Sequence, residues 1–241
     1  MNRQKKLVRI RAVYTLLLSA YMPMLHGATC SNSAATFFNA NPTDIPHTSD
    51  HSRYLKHPKN KIARGCLVNI KTINPHILVD LRYAGTNNFT GKKIYRTALC
   101  YLKKATALKL DAVQKELEKQ GLGLKIWDGY RSPATQKNFW RLVADPRYVA
   151  PPAQGSRHTR GCSVDVTLVT SAGNELPMPT DFDDFSEKAH QKFMQLPAAT
   201  INNRNLLTQV MKKHGFIQAT HEWWHFDDSD WKNCPLLNVN I

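Results

Sequence analysis

The sequence predicts an α+β domain in which helices flank a central, mostly antiparallel sheet. Three observations carry this. Segments 124–130 and 162–170 alternate apolar and polar residues with the period of a strand. Segment 98–119 carries apolar residues at mixed helical steps of three and four, and a second helix is read over 134–143. Short turns join these segments without regular β-α-β units, which argues against a parallel doubly wound sheet.

The chain opens with five basic residues in its first eleven: Arg3, Lys5, Lys6, Arg9 and Arg11. An apolar run, 12–25, follows, and then Gly27, Ala28 and Thr29. A basic start, an apolar middle and small residues read as a secretion signal over 1–28. The run is shorter than the roughly 20 residues of a membrane span, and no later segment could cross one. The expected location is periplasmic or secreted. Gly-Ala-Thr before Cys30 is a poor lipid-attachment signal. Residues 29–61 are polar, with Asn41-Pro42, Ile45-Pro46 and His57-Pro58 as breakers, and read as an irregular arm. The domain is expected over 62–241.

In order along that domain, 67–70 is a small strand and 77–83 a longer one, followed by a loop with Gly85, Asn87, Asn88 and Gly91. The 98–119 helix rests on Leu102, Ala105, Leu108, Leu110, Val113 and Leu117, and Gly121 and Gly123 stop it. Strand 124–130 ends at Arg131-Ser132-Pro133, and Asp145-Pro146 ends the helix after it. In 162–170, Val164, Val166 and Leu168 face one way, and Asp165 and Thr167 the other. Helical character returns over 187–196 and 205–214. Segments 216–220 and 223–226 make the last paired strands, and 227–241 reads as tail.

Secretion permits disulfides. Cys66, Cys100, Cys162 and Cys234 allow three pairings, and spacing does not choose among them. Cys66–Cys100 with Cys162–Cys234 is the working expectation, with Cys30 left over. No close CxxC spacing suggests a cysteine metal site. Past the leader, 28 basic residues face 18 acidic ones, a balance of +10. A basic surface suits anionic cell wall or membrane surfaces. No nucleic-acid recognition motif accompanies it, and no glycine-rich phosphate loop is present.

The chemistry concentrates in Ser156-Arg157-His158-Thr159-Arg160-Gly161-Cys162-Ser163-Val164-Asp165 and in Glu222-Trp223-Trp224-His225. His158, Asp165 and His225 are of the types that bind zinc, and a catalytic zinc takes three protein ligands. Glu222 is a carboxylate placed to move a proton. No HExxH occurs. Spacing alone leaves a second reading open, that of one polar turn and one hydrogen-bonded core histidine.

Taken together, Ser156-x-His158-x-x-Gly161-x-x-x-Asp165 and Glu222-Trp223-Trp224-His225 resemble the signature of the zinc D-alanyl-D-alanine dipeptidases, relatives of the peptidoglycan D,D-carboxypeptidases. Asp80-Leu81-Arg82-Tyr83-Ala84, Asn88-Phe89-Thr90-Gly91, Asp128-Gly129-Tyr130-Arg131-Ser132-Pro133, and Gly173-Asn174-Glu175-Leu176 with Phe182-Asp183 extend the likeness from about Val68 to Phe226. It does not reach the arm, the cysteines or the tail. The resemblance implies a single zinc peptidase domain with one Zn2+ per chain, held by His158, Asp165 and His225. It implies Glu222 as base and Arg131 as stabiliser of the tetrahedral intermediate. It implies Asp183 for the substrate ammonium, Ser156 near its carboxylate, and Tyr83, Phe89 and Trp224 around the pocket. Alternation would turn only one of Trp223 and Trp224 inward. The implied substrate is a small D,D-dipeptide, with D-alanine salvage in wall turnover as the role. The alternatives are a D,D-carboxypeptidase and a non-catalytic cell-wall binding module. Three departures stand out: Ser132 separates Arg131 from Pro133, Cys162 replaces a small residue, and Ser163 replaces a frequent alanine.

Overall fold

The computed structural model describes residues 67–241. The expected signal, the arm, Cys30 and Cys66 lie outside the described residues, as does the Cys66–Cys100 pairing. Among the described residues, Cys100 is buried and has no disulfide partner.

A five-stranded sheet runs in the order β2-β4-β5-β7-β6. Its strands are β2 (Leu78–Val79), β4 (Leu122–Asp128), β5 (Ser163–Thr170), β6 (Phe216–Gln218) and β7 (His225–Asp228). Only the β2–β4 pairing is parallel; β4–β5, β5–β7 and β6–β7 are antiparallel. Two further strands, β1 (Leu67–Asn69) and β3 (Tyr101–Lys103), form a separate antiparallel pair. The helices are α1 (Ile70–Ile73), α2 (Lys104–Glu118), α3 (Pro133–Leu142) and α4 (Ala198–Lys213). Helix α2 packs on β4, and α4 on β5, β6 and α2. The α+β class and the mostly antiparallel sheet are as the sequence predicts.

Central strand β5 is buried through Val169, and Val164, Val166 and Leu168 belong to the core. Helix α2 adds Ala107, Leu110, Val113 and Leu117, all fully buried. An aromatic cluster continues the core toward the site: Tyr83–Phe139 (4.6 Å between ring centres), Trp127–Phe182 (5.4 Å), Phe182–Trp224 (5.6 Å) and Trp223–Trp224 (5.5 Å). Such tilted and edge-on pairs add about 0.5–1.5 kcal/mol each beyond area burial.

Several boundaries differ from expectation, each for a local reason. Helix α2 starts at Lys104, because 101–103 pairs with β1 and Lys103 N–H donates to the Gly161 carbonyl. The 77–83 strand shortens to β2, and a 3-10 turn at Arg82–Ala84 swings Tyr83 into the core. Segment 187–196 keeps only the turn Glu187–Ala189, since Gln191 N–H is drawn to the Thr220 carbonyl. Helix α4 starts earlier than expected, directly after Pro197. Trp223 and Trp224 sit in a turn before β7, so strand alternation does not apply to them and both are buried. The tail is ordered structure: Asp227 and Asp228 complete β7, and Leu237 and Val239 pack under Tyr130, whose hydroxyl bonds Val239.

Candidate metal centre and active-site cavity

The site is assembled at one end of the sheet. Asp165 on β5 pairs directly with His225 on β7 and with Asp128 on β4. Directly paired residues on neighbouring strands point to the same face, so these three side chains form a row. A register shift between Ile126 and Asp128 brings Asp128 into it. A bulge of this kind bends the strand locally and re-aims a side chain.

His158 arrives from the loop before β5, in a 3-10 turn, His158–Arg160, closed by Gly161 at φ 71°. A Cβ on Gly161 would lie 2.7 Å from the Leu67 side chain and 3.2 Å from the Lys103 nitrogen. Both the left-handed backbone and the close approach call for glycine. Gly129 plays a matching part. A Cβ there would meet the Cys100 sulfur at 2.8 Å, and its carbonyl accepts from His158 Nδ1 at 2.8 Å.

Three atoms converge: His158 Nε2 and His225 Nδ1 are 3.2 Å apart, His225 Nδ1 and Asp165 Oδ1 3.0 Å, and His158 Nε2 and Asp165 Oδ1 3.5 Å. Ligands at zinc's usual bond lengths in a tetrahedron are separated by roughly 3.3 Å. The triangle therefore matches one face of a tetrahedral site. Its donor chemistry fits as well. His158 Nδ1 faces a carbonyl, and His225 Nε2 faces the Asp227 carboxylate at 3.0 Å, so each outer nitrogen carries the hydrogen. With both rings neutral, two lone pairs and a carboxylate oxygen are turned on one another, an arrangement that a cation satisfies. Burial would lower the His225 pKa, but Asp227 and Asp165 outweigh it and raise it. Burial would raise Asp165, yet His158 and His225 hold it well below the usual carboxylate range. The same field favours a bound cation. Among the described residues, His158, Asp165 and His225 form the one cluster of this kind.

Glu222 stands beside the triangle, with one carboxylate oxygen 3.9 Å from His225 Nδ1. Burial, opposed by His225 and reinforced by Asp165 and Asp183, lifts its pKa to about 8. Arg131 is buried and stacks over Phe139, its Cζ 4.7 Å from the ring centre. Nε and Nη2 donate to Asp128 at 3.1 and 2.7 Å, and Nη1 to Gln136 at 3.1 Å. Ser132 caps α3, accepting from Thr135 N–H at 3.3 Å, with Pro133 in the first turn. The inserted serine thus starts the helix that carries Gln136 and Phe139.

Asp183 is buried at φ 59°, a backbone conformation unusual for a residue other than glycine. It accepts from the Tyr83 hydroxyl at 3.0 Å and from Phe89 N–H at 2.9 Å. Burial pushes its carboxyl up to about 7. Of its acidic neighbours, Asp181 is exposed and Asp184 caps Ser186 N–H.

One cavity of about 360 Å³ unites these groups. Every site residue picked out from the sequence borders it: Tyr83, Phe89, Arg131, Ser156, His158, Asp165, Asp183, Glu222, Trp224 and His225. Trp223 instead packs on Trp127 and donates its indole N–H to Thr180. Sequence reasoning missed the supporting residues Asp128, Gln136 and Asp227, and also Trp231, which borders the cavity from the supposed tail. Asp227 carried a legible signal, since it lies two residues beyond His225 on a strand and so shares its face.

The D-Ala-D-Ala dipeptidase model of the M15 peptidases matches residues 64–238. A D-alanyl-D-alanine dipeptidase of Escherichia coli is 37% identical over 171 residues, covering 71% of this chain and 89% of the relative. One from Enterococcus faecalis is 32% identical, covering 61% and 83%. Among solved structures, the LdcB LD-carboxypeptidase is 20% identical with a TM-score of 0.40, covering 70% of this chain and 73% of that one. With that match over most of its length, the chain belongs to the D-Ala-D-Ala dipeptidase family of M15 peptidases.

Proposed function

We propose that the chain hydrolyses the D-alanyl-D-alanine dipeptide to two D-alanines, with one zinc held by His158, Asp165 and His225. The observation that carries this reading is the convergence of that triangle, Glu222, Arg131 and Asp183 on a single small cavity. Bound zinc supplies Lewis acidity, polarising the scissile carbonyl and acidifying water. Glu222 takes the proton from the attacking water and returns it to the leaving amine. Burial favours the protonated form of Glu222, which suits the return of the proton, and a bound cation would favour the carboxylate that takes it up. Arg131 offsets the negative charge that develops on the carbonyl oxygen. Because Asp128 and Gln136 already fix its plane, it needs no reorganisation to do so. Asp183 receives the free ammonium of the dipeptide, and Ser156 lies toward its carboxylate. Tyr83, Phe89 and Trp224 form the walls.

A carboxylate reserved for a free amino terminus favours a dipeptide over a longer stem. Purified protein, with and without chelator, is offered D-Ala-D-Ala, L-Ala-L-Ala and a blocked pentapeptide. Chelator-sensitive release of D-alanine from the first alone supports the dipeptidase. Release from the blocked pentapeptide overturns it in favour of a carboxypeptidase, and no release from any of them in favour of a binding module.

The leader reading supports a periplasmic or secreted enzyme that works in cell-wall turnover or D-alanine salvage, and the basic balance supports association with anionic wall. The sulfurs of Cys162 and Cys234 face each other, with Cα atoms 7.1 Å apart. In an oxidising compartment this pair forms a disulfide.

A further inference from the structure

Two histidines of the metal centre come from elements remote in sequence: His158 from a loop and His225 from β7. Their approach depends on that loop staying seated on that strand. One carboxylate ties the two together. Asp227, 1% exposed, accepts from His225 Nε2 at 3.0 Å and from Ser163 Oγ at 2.6 Å on one oxygen. Its other oxygen accepts from Nη1 of Arg157, the residue immediately before His158. The Arg157 guanidinium lies over Trp231, 4.4 Å from the ring centre, and Arg160 flanks the same ring at 5.8 Å. Leu237 N–H then donates to the Thr159 carbonyl at 3.0 Å, so the C-terminal segment straps the ligand loop from outside.

We propose that Asp227, acting with Arg157, is a positioning residue for the metal centre: it turns His225 Nδ1 inward and clamps the His158 loop onto β7. The inference rests on the metal-centre reading above and deepens it. A carboxylate behind a ligating imidazole fixes the ring's tautomer and orientation and makes it a better donor. Here the same carboxylate also carries a guanidinium from the loop of the other histidine. Disturbing Asp227 should therefore disturb both imidazoles, whereas loss of Arg157 leaves His225 held and frees only the loop.

The test measures zinc affinity by competition with a chromophoric chelator, and the absorption spectrum of the cobalt(II)-substituted protein. Wild type, Asp227→Asn, Arg157→Ala and Arg157→Lys are compared. Asp227→Asn should weaken zinc by about 10–100-fold and alter the cobalt ligand-field bands. At saturating zinc it should lower kcat with KM for the dipeptide unchanged, since Asp227 does not border the cavity. Arg157→Ala should weaken zinc by about threefold or more, with lysine restoring part of the loss. Wild-type zinc affinity and cobalt spectrum in Asp227→Asn would overturn the proposal. If that variant does not fold, Arg157→Ala decides, and wild-type zinc affinity there overturns it equally. A wild-type protein that takes up neither metal would remove the metal centre itself, and the clamp with it.

Discussion

Arg131 and Asp128 lie three residues apart, flanking Gly129-Tyr130, and both Nε and Nη2 of the arginine donate to the same Asp128 oxygen, at 3.1 and 2.7 Å. The other oxygen accepts from the Tyr95 hydroxyl at 2.7 Å and from Gly129 N–H at 2.9 Å. With Asp128 fully buried and Arg131 nearly so, this is an ion pair within the fold whose cationic half also borders the cavity. Asp128→Ala should destabilise the protein by about 3–5 kcal/mol, because the guanidinium is left buried and unpaired. Urea denaturation measures this. Turnover should fall together with stability, and a stable variant with wild-type kcat would show that the pairing does not position Arg131.

Glu222→Gln preserves shape and removes the proton acceptor. It should bind zinc as the wild type does and lose about 10²–10⁴-fold in kcat. Equilibrium dialysis and steady-state kinetics together check this. Full activity in that variant would remove Glu222 as the base.

Asp183 links stability and function with opposite signs. Burial holds its folded pKa near 7, above the ordinary carboxylate value of 3.8. The folded state therefore binds the proton more tightly than the unfolded chain. Its cost to stability is absent below the unfolded value, grows as pH rises from 3.8 to about 7, and is complete above that. Asp183→Asn should raise the melting temperature at pH 8, leave it nearly unchanged near pH 3, and raise KM for the dipeptide at least tenfold. Thermal melts at the two pH values and kinetics at pH 8 check the pair of outcomes.

Zinc binding should stabilise the fold by mass action, by about 2.7 kcal/mol at one hundred times the dissociation constant. It should also release protons, because the metal displaces a proton from His225, whose pKa Asp227 and Asp165 raise. Calorimetry in buffers of different ionisation enthalpy reads the proton count. Zinc binding with no proton release would contradict the raised pKa of His225.

The Cys162–Cys234 pair spans a 72-residue separation that contains Asp165, Asp183 and the whole Glu222–His225 segment. A cross-link there should stabilise by about 4 kcal/mol in the chain-entropy picture. Reductant, or Cys162→Ala, should lower the melting temperature accordingly. An identical melt with and without reductant would mean that the two thiols stay unbonded.

The sequence by itself determined the ligand types, the fold class and the strand that presents Asp165. Alternation along 162–170 is a property of neighbouring residues, and a chain segment needs nothing distant to express it. The HxxxxxxD and ExxH spacings were legible for the same reason. Only the tertiary structure decided which distant segments brace those ligands. Asp128 joins the row of Asp165 and His225 because a bulge shifts β4 against β5, and Asp227 meets Arg157 across 70 residues. Trp231 reaches the cavity because the last segment folds back under Tyr130. Contacts of this kind are selected by packing and charge pairing in three dimensions, so a local pattern cannot announce them. The segment that looked like a tail is for that reason part of the wall around the site.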